Sequence, residues 1–413
     1  MPAKRRRTTT GSPVTHMAVA ARWPPDNGWR DLAAVGLEAL RIRPPDYVRS
    51  VFGAPRDWLP PHRRCSEYNI LNPWRSLTTA RFLLDIGLPS SAATEPDWAR
   101  ALFPAFVNRR FWHPTGFFRQ PDEYGGTSSF PDEHWFFING IATNEDVAKL
   151  NSAYLAHLFH RPVTVIQNAT NSLALDLFEC VIGKGFTRRP DAADRLSMTE
   201  PAWRATAAIL EALNADYTRR VVVIAHSQGT IIMANVLLAV SRALRRDTHK
   251  RWDAFASQLM GSPDTQTRKI LRDSIAHSLA SLTGAGKGAS YERLSKLEIY
   301  TFANCADRMR HVYPSGKIPY MEHFANEMDL VARLGVLSPQ RGIEGAKISI
   351  DGPVFERKGA WGHLLNEHYL APIDDYLYPE ERGLDGEQNP FPAADPARGA
   401  PRLYDYFHGK TPR

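Results

Sequence analysis

The segment Val221-Val-Val-Ile-Ala-His-Ser227-Gln-Gly-Thr230 contains the residue best suited to chemistry. A serine hydroxyl is a poor nucleophile until a base takes its proton and donors hold the oxyanion that forms. One solution sets the serine on a tight turn between a strand and a helix. Small residues two before and two after it let neighbouring chains pass closely. The helix then aims its N-terminus at the developing charge. Ala225-His226-Ser227-Gln228-Gly229 fits this form: a Val/Ile run precedes it, and Thr230–Leu244 behind it is apolar nearly all round. Ala225 adds one methyl where glycine is commoner. The plainer alternative is a serine that only caps a core helix. His226 points away from the serine in such a turn, so packing or hydrogen bonding beneath the turn is its expected role.

Such a turn needs a sheet to carry it, and the chain from 131 onward supplies the pattern. His134-Trp-Phe-Phe-Ile138, Pro162-Val-Thr-Val-Ile166, Val221–Ala225, Leu297–Ala303 and Tyr320–Ala325 read as short buried strands. Helices are expected between them: one from Asn144, one over 172–182, one from Thr199 to about Ala215, and Thr230–Leu244. Residues 246–295 read as a mostly helical connection. Its Gly284-Ala-Gly-Lys-Gly288 lacks the context of a phosphate loop. Alternation of this kind implies an α/β fold, a mostly parallel sheet with helices on both faces. No internal repeat is present. The expected organisation is a disordered basic tail at 1–27, an aromatic-rich extension at 28–130 with a helix near 74–86, the α/β domain at 131–378, and an irregular Pro-rich tail at 379–413. The extension is expected to wrap or cap the core. Its aromatic residues at 98–137 either line an apolar pocket or are ordinary core.

Composition narrows the classes. The 413 residues carry a net charge of +7 and three cysteines, Cys65, Cys180 and Cys305, far apart and without metal-ligand spacing. Scattered cysteines fit a reducing compartment. No apolar stretch follows the charged start as an export signal requires, and the longest apolar run, Ile231 to Val240, is far short of a membrane span. A soluble, intracellular, cytoplasmic protein is expected. Lys4-Arg-Arg-Arg7 is either a solvated tail, a nuclear-import address or a contact for an anionic surface such as a peripheral membrane. A nucleic-acid protein is disfavoured, since no recognition motif accompanies the charge.

Four islands resemble the α/β-hydrolase superfamily in its lipase and serine-esterase branch: Phe136-Phe-Ile-Asn-Gly-Ile-Ala-Thr143, the Ser227 turn, Asn326-Glu-Met-Asp-Leu-Val331 and Gly362-His363. They fall in the family's order of serine, acid, histidine, and the resemblance covers about 131–376. It implies a triad of Ser227, Asp329 and His363. Asp329 lies in a run like the Asp-x-Val of many lipases, with Asp307 and Glu327 as competing acids. His363 follows the last expected strand and precedes a helix over Leu364–Tyr376, whereas His368 and His323 lie inside elements. The implied oxyanion donors are the backbone N–H of Gln228 and the loop at Gly140 and Ile141, although Asn139-Gly140 also reads as a strand-ending turn. The acceptor motif Asn168-Ala-Thr170 is discounted as a glycosylation site. The resemblance implies hydrolysis of a carboxylic ester, small or lipid-like, through an acyl-serine, with no cofactor and no metal. Acyl transfer on the same triad and a non-catalytic binding module on the same scaffold are the alternatives.

Overall fold

The computed structural model describes residues 44–59, 63, 65–70, 116–120, 130–140, 143, 145–168, 198–245, 256–257, 266–284, 286–339, 341, 348–379, 388–393 and 395–412. The basic tail, the stretches expected to be helical at 74–86 and 172–182, Cys180, Ile141 and most of the aromatic run at 98–129 lie outside them.

A seven-stranded sheet organises the molecule. In chain order its strands are β1 (Gly116–Gln120), β2 (Glu133–Ile138), β3 (Val163–Gln167), β4 (Arg220–His226), β5 (Leu297–Phe302), β7 (Tyr320–Asn326) and β9 (Val354–Arg357). In space they run β1-β3-β2-β4-β5-β7-β9. Six are parallel, and β1 pairs antiparallel with β3 at one edge. Two short strands, β6 (Arg308–Met309) and β8 (Ser349–Ile350), pair separately. The fold is α/β, as expected. The sheet also recruits β1 from before residue 131.

Side chains alternate across each strand, and both faces are apolar. Phe136, Ile138, Val221, Val223, Ala225, Leu297 and Ile299 meet helices α3 (Glu200–Asn214), α4 (Gln228–Arg245) and α5 (Gln266–Gly284) on one side. Trp135, Phe137, Val222, Ile224, Tyr300 and Phe302 face the other side, against α2 (Glu145–Phe159) and the chain from 365 to 407. Central α4 is buried nearly all round, which its composition requires. The connection after α4 ends in α5 and α6 (Gly286–Ser295), with Gly286 at a φ of 88° near the junction.

Two segments outside the expected core are built into it. Residues 44–59, 63 and 65–70, with α1 (Pro44–Phe52) and two 3-10 turns, pack against the chain after residue 360. Glu67 is buried there. Its carboxylate accepts from the backbone N–H groups of Asn366 (2.7 Å) and Glu367 (3.0 Å) and from Asn151 Nδ2 (2.8 Å). The stretch after 378 contains 3-10 turns at 396–398 and 402–409 rather than long elements, yet Phe391, Leu403 and Tyr406 are fully buried. It closes the amino ends of the strands. Arg402 Nη2 and the Tyr406 hydroxyl donate to Glu298 at 2.9 and 2.7 Å, and the Arg402 and Leu403 N–H groups donate to Glu322 at 2.8 and 3.2 Å. Buried Arg161 donates to Glu133 (2.8 Å) and to the Lys410 carbonyl (3.0 Å).

Among the described residues no helix is long and apolar enough to cross a membrane.

Candidate active site

Ligand sites on open parallel sheets gather at the carboxyl ends of the strands, and the chemistry-bearing residues collect there. Ser227 is the first residue after β4, on the turn into α4. Its φ of 55° is a left-handed conformation that a residue with a Cβ adopts only when its surroundings impose it. They do so through three bonds. The Ser227 N–H donates to the Phe302 carbonyl at 3.0 Å, and its own carbonyl accepts from the Thr230 N–H and hydroxyl at 2.9 and 2.7 Å. The turn also needs a small residue at 229. A Cβ on Gly229 would lie 2.2 Å from the Ile138 carbonyl oxygen, because β2 passes directly over the start of α4. Ala225, at the other small position, is fully buried.

His363 lies in the loop after β9. Its Nε2 is 3.0 Å from Ser227 Oγ, and its Nδ1 is 2.8 Å from Asp329 Oδ2. The carboxylate accepts, so Nδ1 carries the proton and the Nε2 lone pair faces the serine hydroxyl. Asp329 follows β7 and is wholly buried. It caps α7 (Leu330–Arg333) by accepting the Val331 N–H at Oδ1, 2.8 Å, and its Oδ2 also accepts the Tyr369 hydroxyl at 2.6 Å. Serine, imidazole and carboxylate therefore form one hydrogen-bonded chain across three strand ends. No protein-family model, curated protein or solved structure matches this chain. The case for function therefore rests on the geometry.

The competing residues have other partners. Glu327 accepts the Gly359 N–H at 2.7 Å. Asp307 is buried in the loop before β6, where its carbonyl accepts the Ser349 N–H at 2.7 Å, while Arg310 faces Asp351 at 3.9 Å. His323 sits inside the sheet between the Thr301 hydroxyl (2.7 Å) and the Asp351 carbonyl (2.7 Å). Burial holds it neutral, with its pKa pushed down to about 3. His368 accepts the Leu364 N–H at Nδ1 (2.9 Å), so its Nε2–H donates to the Tyr68 hydroxyl at 3.0 Å. Burial pushes it down to about 3 as well.

His363 is gripped by its backbone as well as by its ring. Its N–H donates to the Val51 carbonyl at 2.9 Å. Its carbonyl accepts from His226 Nε2, also at 2.9 Å, and the two imidazoles lie 4.7 Å apart. Burial holds the His226 pKa well below that of an exposed imidazole, with His363 adding to the effect, so it stays neutral. Asn326 Nδ2 reaches the Gly362 carbonyl at 2.9 Å and the His368 carbonyl at 3.3 Å. The second contact has a local cause. Pro372 has no N–H to give the carbonyl four residues back. The expected Leu364–Tyr376 helix accordingly opens as a π turn over Leu365–Leu370 before α8 (Ala371–Leu377).

Gly140 stands against Ser227. A Cβ there would lie 2.6 Å from Ser227 Cβ and 3.1 Å from its Oγ. Asn139 anchors this loop: its Nδ2 donates to the Gly140 and Asn168 carbonyls at 3.0 and 2.9 Å, and its Oδ1 accepts the Asn168 N–H at 2.8 Å. Asn168 Nδ2 in turn donates to Gln228 Oε1 at 2.5 Å. Three strand ends are thereby tied around the N-terminus of α4. Sequence reasoning attended to Asn168 only as a discounted glycan acceptor, and it missed Tyr369 and Val51 altogether. Among the described residues no cluster of three or more His, Cys, Asp and Glu side chains can hold a metal ion.

Proposed function

We propose that the chain is a serine hydrolase of the α/β-hydrolase type that cleaves a carboxylic ester through an acyl-serine intermediate. The observation that carries this reading is the chain Ser227 Oγ–His363 Nε2 (3.0 Å) and His363 Nδ1–Asp329 Oδ2 (2.8 Å), held at three strand ends with the serine on a strained turn. The order of nucleophile, acid and histidine along β4, β7 and β9 supports it, as does the antiparallel strand at the edge beside β3.

The chemistry follows from the donors and acceptors. Ser227 Oγ attacks the ester carbonyl carbon while His363 Nε2 takes the hydroxyl proton. Asp329 holds the imidazole in the required tautomer and stabilises the imidazolium. The oxyanion is held by the Gln228 backbone N–H at the start of α4, with the loop at Gly140 beside it. Collapse breaks the bond to the alcohol, which leaves with the proton from Nε2. Water then attacks the acyl-serine by the same route and releases the acid and free Ser227. If an alcohol replaces water at this step, acyl transfer results.

A fluorophosphonate probe tests the reading without knowledge of the substrate. Wild-type protein should be labelled at Ser227. Ser227→Ala should lose labelling with its fold intact, and turnover of nitrophenyl esters should fall on the order of 10⁴-fold or more. Full labelling at another residue in the alanine variant would overturn it.

A further inference from the structure

Asp329 Oδ2 accepts two hydrogen bonds, from His363 Nδ1 and from the Tyr369 hydroxyl, and the tyrosine contact is the shorter at 2.6 Å against 2.8 Å. Tyr369 is no generic core aromatic. It is fully buried, six residues beyond the histidine, with its ring stacked on Phe391 at 5.9 Å and edge-on to Phe302 at 5.7 Å. Its oxygen accepts the Asn326 N–H at 3.2 Å, which leaves its own proton directed at the carboxylate. We propose that Tyr369 is a positioning residue that fixes the Asp329 carboxylate and weakens its pull on the His363 proton. The inference deepens the serine-hydrolase reading and rests on it.

The physical basis is competition for one oxygen. A carboxylate oxygen that donates charge to two hydrogen bonds stabilises an imidazolium less than one that serves the imidazole alone. Burial and the adjacent Asp329 hold the Tyr369 phenol well above its ordinary pKa, so it remains a donor throughout the working range. His226 beneath the ring and His368 on the following turn both stay neutral. The charged side chains nearby are Glu327, which accepts the Gly359 N–H, Arg357 on β9 and Arg49 over the Trp361 ring at 4.4 Å, and a change at Tyr369 leaves all three in place. Asp329 is thus the charge in direct contact with the imidazole, and Tyr369 modulates it.

The test measures the proton itself. The His363 resonance of ¹⁵N-histidine-labelled protein, assigned by its loss in His363→Gln, is titrated in wild type and in Tyr369→Phe, which keeps the ring and removes the hydroxyl. The His363 midpoint should rise by about half a pH unit or more in the variant. 3-Fluorotyrosine installed at 369, a more acidic donor, should move it the other way and covers the case in which the phenylalanine variant does not fold. The acid limb of kcat/KM on a nitrophenyl ester should move with each midpoint. Unmoved midpoints in folded variants would overturn the proposal. If midpoints shift but wild-type Ser227 resists the fluorophosphonate probe, the coupling stands and the hydrolase reading falls.

Discussion

Gly140→Ala is the sharpest test of how Ser227, the proposed nucleophile, and its neighbouring loop fit together. Gly140 needs no left-handed φ, so the substitution acts through space alone. The added Cβ would lie 2.6 Å from Ser227 Cβ and 3.1 Å from Oγ. Carbon atoms pack at about 3.5–4.0 Å, so something must move by about 1 Å. Ser227 cannot easily be the part that yields, because its N–H is bound to Phe302 and its carbonyl to Thr230. The loop after β2 must move instead, pulling against Asn139. Misplacing a catalytic group by about 1 Å costs on the order of 10²-fold, and loss of one oxyanion donor about 10²–10³-fold, or roughly 3–4 kcal/mol of transition-state stabilisation. Nitrophenyl ester hydrolysis should therefore fall by about 10²–10³ in kcat, while the melting temperature changes by only a few degrees. Gly229→Ala is the contrast. Its Cβ would meet backbone at 2.2 Å on an adjacent strand, so loss of soluble folded protein is expected. A Gly140→Ala enzyme with wild-type kcat would refute the placement of this loop against the reacting centre.

Two further outcomes follow. Asp329→Asn should lower kcat by several orders of magnitude with little change in melting temperature, because the amide favours the wrong histidine tautomer, whereas folded Asp307→Asn should stay active; kinetics on the pair with the opposite ranking would reassign the acid. Stability should fall only gently from pH 6.5 to about 4.5 and steeply below. His323 and His368, depressed to about 3, and His226, also depressed, take up protons on unfolding as the pH falls below about 6.5, which removes stability. Glu67 and Glu322, raised to about 7, hold protons in the folded state that the unfolded chain releases down to about pH 4.5, which offsets most of that loss within this window only. Thermal melts that are flat down to pH 4 would contradict the burial of the three imidazoles.

The strands were legible because strands buried on both faces must be continuous apolar runs, and β2, β3, β4, β5 and β7 fall within a residue or so of the sequence reading. The turn at Ser227 was legible because its small residue at 229 and flanking elements are local. Strand β9 was not expected, since Val354-Phe-Glu-Arg357 is short and half polar. The groups that aim the histidine were not legible. Val51 lies 312 residues before His363, and Glu67 lies 299 before Asn366, so no local periodicity connects them. Tyr369 reads in sequence as one more core aromatic, because a buried ring and a buried hydroxyl with a partner leave the same trace. The π turn was hidden for a different reason. Pro372 signals a break, but the Asn326 amide that compensates for it comes from another strand.

The closure of the strands' amino ends by residues 402–411 sets an order of events during synthesis. Residues up to 357 suffice to pair all seven strands of the main sheet, but the groups that cover and bond Glu298 and Glu322 in the finished fold, Arg402, Leu403 and Tyr406, come later in the chain. Leaving Phe391, Leu403 and Tyr406 undocked forfeits about 1.5–3 kcal/mol per side chain, together a large share of a domain's net stability. A nascent chain that has emerged only as far as His363 therefore carries Ser227, Asp329 and His363 on a sheet it cannot yet hold closed. Arrested chains of increasing length should become protease-resistant in one step, when residue 411 clears the ribosome, rather than when His363 does.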